Sequence, residues 1–541
     1  MYSLKKSCKN IPMKIALIAP PYPLEEAPSP PLGLAYVAAA CEAAGAEVRI
    51  FDFIVSRYTP EKLAAALDSF RPDAVGSTAV TMNFIQAVSI LKDVKKHNRK
   101  IVTMMGGPHV SFDIENSLKI YPEIDLIVIG EGEETLSELV PALTSPEEWE
   151  KIQGIAFRKD GKVFATPQRP LIENLDTIPT PARHLLPVSR YLALGYPVSI
   201  ITSRGCPNKC IFCLGRKMVG YKARFRDPSL VVDEIEDILS YGFTRINIAD
   251  DLFTANKERV RTLCAEIKRR GVTFAWSAFA RVNTVDREVL EVMKDAGCDS
   301  VSFGIESGNP EMLKRIRKGI TLDQAREATR ICKEAGIITH ASFMVGLPGE
   351  TKETLQDTSR FARELDIFYG YHFLAPFPGT TVREEIEKYD LKILTDDWSR
   401  YDANSPTVCS SKITPEEIVS FVKVYDDTLD CQWQEVVKRY EKKQCTPHEE
   451  LLVEGKKRMN FIFKLLSEDI IEEMCCSAAP VADPVALFAS NVASEIGGDY
   501  PFVSWTIKTL MDAGYLKCEA VNGSVRLFWT HNRNVDELPV A

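Results

Sequence analysis

Arg204-Gly205-Cys206-Pro207-Asn208-Lys209-Cys210-Ile211-Phe212-Cys213 places three thiols within eight residues, spaced Cys-x-x-x-Cys-x-x-Cys, with no fourth cysteine at a matching interval. A closed four-thiolate site needs four ligands. Three thiolates on a cubane iron–sulfur cluster leave one iron open, and an open iron can hold a second molecule. Taken alone, three cysteines also read as a zinc loop or as unconnected thiols.

The sequence around this loop is periodic. Apolar runs predict strands near 198–203, 245–250, 273–279, 300–305, 337–345 and 368–375, alternating with helices near 228–241, 257–270, 285–296, 321–335 and 351–365. In the helix at 228–241, Leu230, Val231, Ile235, Ile238 and Leu239 fall on one stripe. Six strand–helix units make an incomplete version of the eight-unit barrel, whose chemistry sits at the carboxyl ends of the strands. Those ends carry polar residues. The first strand leads into the cysteine loop. The second ends in Asp250-Asp251, the third carries Ser277 with Arg281 beyond it, the fourth holds Glu306 in "SFGIESGN", and the fifth runs Val345-Gly346-Leu347 in "FMVGLPGET". Asp250 and Asp251 also read as helix caps, and Glu306 as a solvated acid. Their shared place at successive strand ends makes a site the better joint reading.

Toward the N-terminus a second alternating pattern appears. "KIALIAP" (14–20), "AEVRIFDF" (46–53), "DAVGSTAV" (73–80), "KIVTMMGG" (100–107) and "IDLIVIGEGE" (124–133) read as strands, with helices at 33–44, 60–70, 84–97 and from about Glu134. This predicts a doubly wound parallel sheet. Ligands of such sheets lie beyond the strand carboxyl ends. Here those ends present Ser77, Thr78, Gly106, Gly107, His109, Gly130, Glu131 and Gly132. Glycines allow close backbone approach to a bulky ligand.

The expected organisation is therefore an α/β unit at 13–145, a linker with a hairpin at 146–195, the partial barrel at 196–400, a helical connector at 401–445 and a small α+β unit at 446–541. In the last, helices fit at 458–474, 484–496 and 502–513, and "YLKCEAVNGSVRLFWT" reads as a hairpin with Asn522-Gly523 favouring a type I′ turn. Three helices and a two-stranded wing resemble a winged helix. Its candidate recognition helix carries only Lys508 as a basic residue, so peptide docking or packing is favoured over nucleic-acid binding. Cys409, Cys431, Cys445 and Cys475-Cys476 lack the spacing of a second cluster.

Composition excludes several classes. The chain has 541 residues, 66 basic and 75 acidic, for a net charge of −9, which argues against a general polyanion binder. No run of 18 apolar residues predicts a membrane span, and the N-terminal stretch lacks the apolar region of a signal peptide. Fourteen scattered cysteines suit a reduced, cytoplasmic and anaerobic setting.

The cysteine loop, with Phe212 ahead of its last cysteine, resembles that of the radical S-adenosylmethionine (SAM) enzymes. "GIESGN", "GLPGET" and "PFPGT" support the resemblance, which spans about 13–400. "PPLGLAYVAAACEAAG", "GGPHVS" and "GEGE" resemble the cobalamin-binding domain carried N-terminally by some members, the class B radical SAM methyltransferases among them. The resemblance implies that Cys206, Cys210 and Cys213 hold a 4Fe–4S cluster whose open iron chelates SAM. It implies that Asp250 and Asp251 serve the SAM ammonium, Ser277 and Arg281 its ribose or carboxylate, Glu306 its ribose, and the Val345–Leu347 backbone its adenine. It implies cobalamin on the N-terminal sheet without a histidine ligand from a D-x-H-x-x-G loop, a motif this chain lacks. His109 then faces cobalt or belongs to its loop, the latter being favoured.

The function implied is C-methylation of an unactivated carbon through methylcobalamin and a 5′-deoxyadenosyl radical, with electrons from a flavodoxin- or ferredoxin-type donor. Such a carbon is no nucleophile, so polar methyl transfer from SAM alone cannot reach it. The winged module tilts the substrate toward a peptide or protein, such as Gln or Arg of methyl-coenzyme M reductase, with a small molecule as the other possibility. A cobalamin-dependent radical SAM cyclase or oxidoreductase, and a non-catalytic cobalamin or redox sensor, are the competing readings.

Overall fold

The computed structural model describes residues 12–22, 28–473, 484–521 and 524–532. Strands β1 (Lys14–Ala19), β2 (Glu47–Asp52), β3 (Ala74–Thr78), β4 (Val102–Gly106) and β5 (Leu126–Val128) are parallel neighbours, and β6 (Ile155–Lys159) and β7 (Lys162–Ala165) extend the same sheet antiparallel. The order is β2-β1-β3-β4-β5-β6-β7. The order in which strands are added reverses between β1 and β3, the switch point where open sheets of this type bind ligands. Residues Ile15 to Ala19 are buried because helices cover both faces, which is why the strand reads as an unbroken apolar run.

The hairpin expected in the linker is instead the far edge of this sheet. Ile155, Ala156 and Phe157 are buried and pair with β5. Its turn residues Asp160 and Gly161 both have positive φ, as a type I′ turn requires.

The second sheet is the expected six-unit partial barrel. Its strands are β8 (Val198–Ile200), β11 (Arg245–Ile248), β12 (Ala275–Ala280), β13 (Cys298–Glu306), β14 (Ile338–Val345) and β15 (Phe368–Phe373), all parallel and side by side in chain order. A small antiparallel ribbon, β9 (Ser203–Arg204) with β10 (Arg224–Phe225), brackets the cysteine loop. The intervening helices start where a capping side chain stands. Asp227, Asn256, Asp286, Thr321 and Thr351 each accept a backbone N–H of the first turn of Pro228–Ser240, Lys257–Arg270, Arg287–Asp295, Leu322–Glu334 and Lys352–Glu364.

Beyond β15, a segment with the pair β16 (Leu391–Ile393) and β17 (Val408–Ser410) returns over the cysteine loop. There Ile211, Leu347, Leu374, Val382, Leu391 and Val408 form one apolar cluster. The helices Pro415–Glu441 and Pro447–Ser467 follow, then Pro484–Ile496, Tyr500–Asp512 and the hairpin β18 (Leu516–Val521) with β19 (Ser524–Trp529). This terminal region shares its core with the rest. Leu465, Phe488, Ile507 and Trp529 belong to the same buried cluster as Tyr191 of the linker and Ile235 of the barrel. Ser189 and Thr530 share a hydrogen bond of 2.8 Å, and Lys62 pairs with Asp469 at 2.8 Å. The Asn522-Gly523 turn and Cys475-Cys476 lie outside the described residues. Among the described residues, no helix is long and apolar enough to cross a membrane.

Candidate active site

Two cavities lie at the strand carboxyl ends of the two sheets. The first, of about 80 Å³, sits beside the β1/β3 switch point. Leu17, Met104 and Val128 line it from the strands, Ser77, Thr78 and Gly106 from the strand ends, Leu34 and Val37 from the helix Leu32–Ala43, and Gly107, Gly130 and Gly132 from the loops. An ideal Cβ on Gly33 or Gly130 meets nothing within 4 Å, so this backbone leaves open space. The lining is apolar or uncharged, so its chemistry suits a neutral group rather than a charged one. Gly107 has a different task. Its φ is +101° and a Cβ there would stand 2.6 Å from the Ala79 carbonyl oxygen, so glycine is needed for the loop itself.

His109 does not line this cavity. It is fully buried, stacked on Phe84 at 4.0 Å and edge-on to Trp398 at 5.0 Å, with Nδ1 3.3 Å from Thr81 Oγ1. Burial pushes its imidazole down to about 4, so it is neutral at ordinary pH. The ring is a core and loop element, held by Phe84, Thr81 and Trp398. Glu131 is also turned away, and both of its oxygens are held by Arg224.

The second cavity, of about 260 Å³, is walled by Cys206, Cys210, Cys213, Phe212, Asp250, Asp251, Arg281 and Glu306. The three thiols are free of disulfides and reach solvent. Asn208 Nδ2 donates to Cys206 Sγ at 3.2 Å, and Arg281 Nη1 stands 3.6 Å from Cys210 Sγ. Donors aimed at sulfur suit thiolates, so the loop fits an anionic iron–sulfur cluster. The cleft also holds two cations absent from the sequence reading, Arg216 and Lys318. Lys318 Nζ is buried, 2.8 Å from Glu306 Oε1 and 5.9 Å from the centre of the Phe212 ring. It lies in "RIRKGI", a basic run that reads as surface. Glu306 itself sits at a register shift with φ of +74°, an uncommon backbone state for a non-glycine residue.

The two aspartates divide their work. Asp250 is buried and accepts from Thr202 N, Thr202 Oγ1 and Ser203 Oγ, each at 2.6 Å, which engages both carboxylate oxygens in holding the strand end. Asp251 accepts one bond, 3.1 Å from Gly205 N, and stays exposed at the cavity wall. Ser277 lies lower on the inner sheet face, donating to Asn247 Oδ1 at 3.1 Å.

Val345 and Leu347 are buried in apolar clusters and line neither cavity. Their backbone groups are engaged, with Val345 O accepting from Leu374 N and Leu347 N donating to Glu350. Glu350 also takes Gly346 N at 2.6 Å, and full burial pushes its carboxyl up to about 8. The expected backbone platform is therefore a turn stabilised by its own acid.

Comparison with known proteins fits this layout. A family model described as the radical SAM superfamily matches residues 200–362, and one described as the B12 binding domain matches residues 26–140. An uncharacterized methyltransferase of Pyrococcus horikoshii is 38% identical over 421 residues, covering 76% of this chain and 91% of that protein. An anaerobic magnesium-protoporphyrin IX monomethyl ester cyclase of Rubrivivax gelatinosus is 32% identical, covering 70% of this chain and 69% of that one. The solved cobalamin-dependent S-adenosylmethionine radical enzyme OxsB, with aqua-cobalamin and S-adenosylmethionine bound, shares the fold with a TM-score of 0.67 and 18% identity, over 93% of this chain and 79% of that chain. Three thiols around one cleft, a glycine-lined cavity on the neighbouring sheet and these matches place the chain among the cobalamin-dependent radical SAM methyltransferases, enzymes that use a 4Fe–4S cluster, SAM and cobalamin.

Proposed function

We propose that this chain methylates an unactivated carbon of a peptide or protein segment. When bound, the cluster and SAM supply a hydrogen-abstracting radical and cobalamin supplies the methyl group, with electrons from a flavodoxin- or ferredoxin-type donor. In this reading Cys206, Cys210 and Cys213 hold the cluster. Asp251, Arg281, Glu306 and Lys318 meet the charged and hydroxyl groups of SAM. Ser77, Thr78, Gly106, Gly130 and Gly132 border the cobalamin tail.

The observation that carries the substrate class is the inner face of the barrel sheet. Register places Ser199, Asn247, Ser277, Phe279, Ser302, Gly304, His340, Ser342, Gly370 and His372 on that face, continuous with the cluster cavity. All are partly or fully exposed, Phe279 to 48%. Closed barrels fill this space with layers of Val, Ile and Leu. Here small hydroxyl, amide and imidazole groups, with the exposed Phe279, Ile338 and Phe368 among them, line an open trough, and Arg245 at its foot is neutralised by Asp299. Such a wall offers hydrogen bonds without net charge. It suits an uncharged chain of mixed polarity such as a peptide, and suits poorly a phosphorylated ligand.

Comparing the proteome and metabolites of cells with and without the active chain, after feeding methyl-labelled methionine, tests this. The expected result is a labelled carbon-bound methyl group on a protein residue only where the chain is active. A labelled small molecule overturns the peptide class. An unlabelled ring-closed or oxidised product favours the cyclase reading, which the Rubrivivax relative supports.

A further inference from the structure

The loop that borders the cobalamin cavity and the ribbon that starts the cluster loop are joined by four buried charged side chains. Glu131 Oε1 stands 2.8 Å from Arg224 Nη2 and 3.1 Å from Arg204 Nη1, and its Oε2 stands 2.9 Å from Arg224 Nη1. Glu133 Oε1 is 2.6 Å from Arg204 Nη2. The side chains are 5 to 10% exposed. Glu131 also accepts from Ile172 N at 2.9 Å, and Arg224 donates to Ile172 O and, at 2.8 Å, to Val219 O, so the segment between the sheets is held by the same group. Two acids oppose two guanidinium groups, and the charge balances.

Position gives this cluster its meaning. Glu131 lies between Gly130 and Gly132, which line the first cavity. Arg204 is two residues before Cys206 and pairs across the ribbon with Arg224. The step between is tightly packed, since Gly205 has φ of +106° and a Cβ there would meet the Lys222 carbonyl oxygen at 2.3 Å. Buried ion pairs gain little net stability over apolar packing, because desolvation offsets the attraction. A fork of paired donors on a carboxylate is strongly directional, so its effect is to fix register.

We propose that Glu131, Arg204, Arg224 and Glu133 are positioning residues that set the separation and orientation of the cobalamin relative to the cluster. They touch neither cofactor cavity's reacting atoms and act by locking one loop to the other. Methyl pick-up from SAM and radical formation occur on different cofactors, so a displacement of about 1 Å between them is costly. The inference rests on both cofactors binding this chain, and occupancy is measured first so that a failure of that reading is seen separately.

The test uses full-length holoenzyme and two variants, Glu131→Gln and the charge-balanced Glu131→Gln/Arg224→Met. The second removes one acid and one base, so that no lone buried charge remains even where the first fails to fold. Iron and cobalamin content per chain should match wild type in the double variant. Pulsed EPR between cob(II)alamin and the reduced cluster should give a narrow distance distribution in wild type and one about twice as wide in the variants. Transfer of a labelled methyl group from SAM to reduced cobalamin should slow by about tenfold or more. Wild-type width and rate in the double variant would overturn the proposal. So would loss of either cofactor from it, which would make the cluster a folding element only.

Discussion

Alanine at Cys206, Cys210 and Cys213 together is expected to yield a folded chain with no iron–sulfur absorption, no reduced-cluster EPR signal and no 5′-deoxyadenosine from SAM. The effect on chemistry is total because Cys206, Cys210 and Cys213 are the thiols that wall the cavity among the described residues, and a cubane held by fewer than three thiolates is not retained. The effect on stability is small. Cys206 and Cys210 are half-buried and Cys213 is exposed, outside the apolar clusters, and substitutions at such positions usually stay within about 0.5 kcal/mol. Thermal unfolding therefore separates loss of the cluster from loss of the fold. A triple variant that keeps a full complement of iron would place the cluster elsewhere.

The second large effect is expected at Gly33, where stability and ligand binding should move apart. Gly33 lies in the first turn of the helix Leu32–Ala43, its φ is not positive, and a Cβ there meets no atom within 4 Å. Gly33→Leu places a side chain at the wall of the first cavity, with its Cβ clear of other atoms. Glycine in a helix costs about 0.5–1 kcal/mol relative to Ala, so the variant should be as stable as wild type or more so. Cobalamin uptake should fall below detection while cluster content and reductive SAM cleavage persist. Equilibrium dialysis with hydroxocobalamin reads the first, and iron assay and 5′-deoxyadenosine formation read the others. Retained cobalamin binding would move the cofactor away from this cavity. Gly107 is the wrong place for the same experiment, because a side chain there collides with the Ala79 carbonyl oxygen and disturbs the loop itself.

The elements were legible because local and global signals agree. Helices begin at Asp227, Asn256, Asp286, Thr321 and Thr351, where the sequence supplies caps, and the barrel strands are the apolar runs between those helices. The cysteine loop was legible because spacing alone defines a three-ligand set. What escaped the sequence depends on partners that folding brings together. Lys318 reaches Glu306 only after the chain turns back through the helix Pro310–Arg315. His109 looks like a ligand until Trp398, distant in sequence, closes over its ring. Glu131 sits among cofactor-loop glycines and yet faces Arg204 and Arg224 of the ribbon that brackets the cysteine loop. Val345 and Leu347 promise free backbone, but Leu374 and Glu350 engage it. The hairpin at β6 and β7 was visible as a hairpin, while its membership of the first sheet depends on the exposed edge of β5.

The central claim is that one chain holds a three-thiolate cluster and a cobalamin on adjoining sheets. Anaerobic reconstitution of the wild-type protein with iron, sulfide and hydroxocobalamin, followed by gel filtration and assay of iron, sulfide and cobalt, tests it most directly. The expected result is one 4Fe–4S cluster and one cobalamin retained per chain, the cobalamin lost in Gly33→Leu alone and the cluster lost in the triple cysteine variant alone. A wild-type chain that keeps its cluster but retains no cobalt would contradict the account.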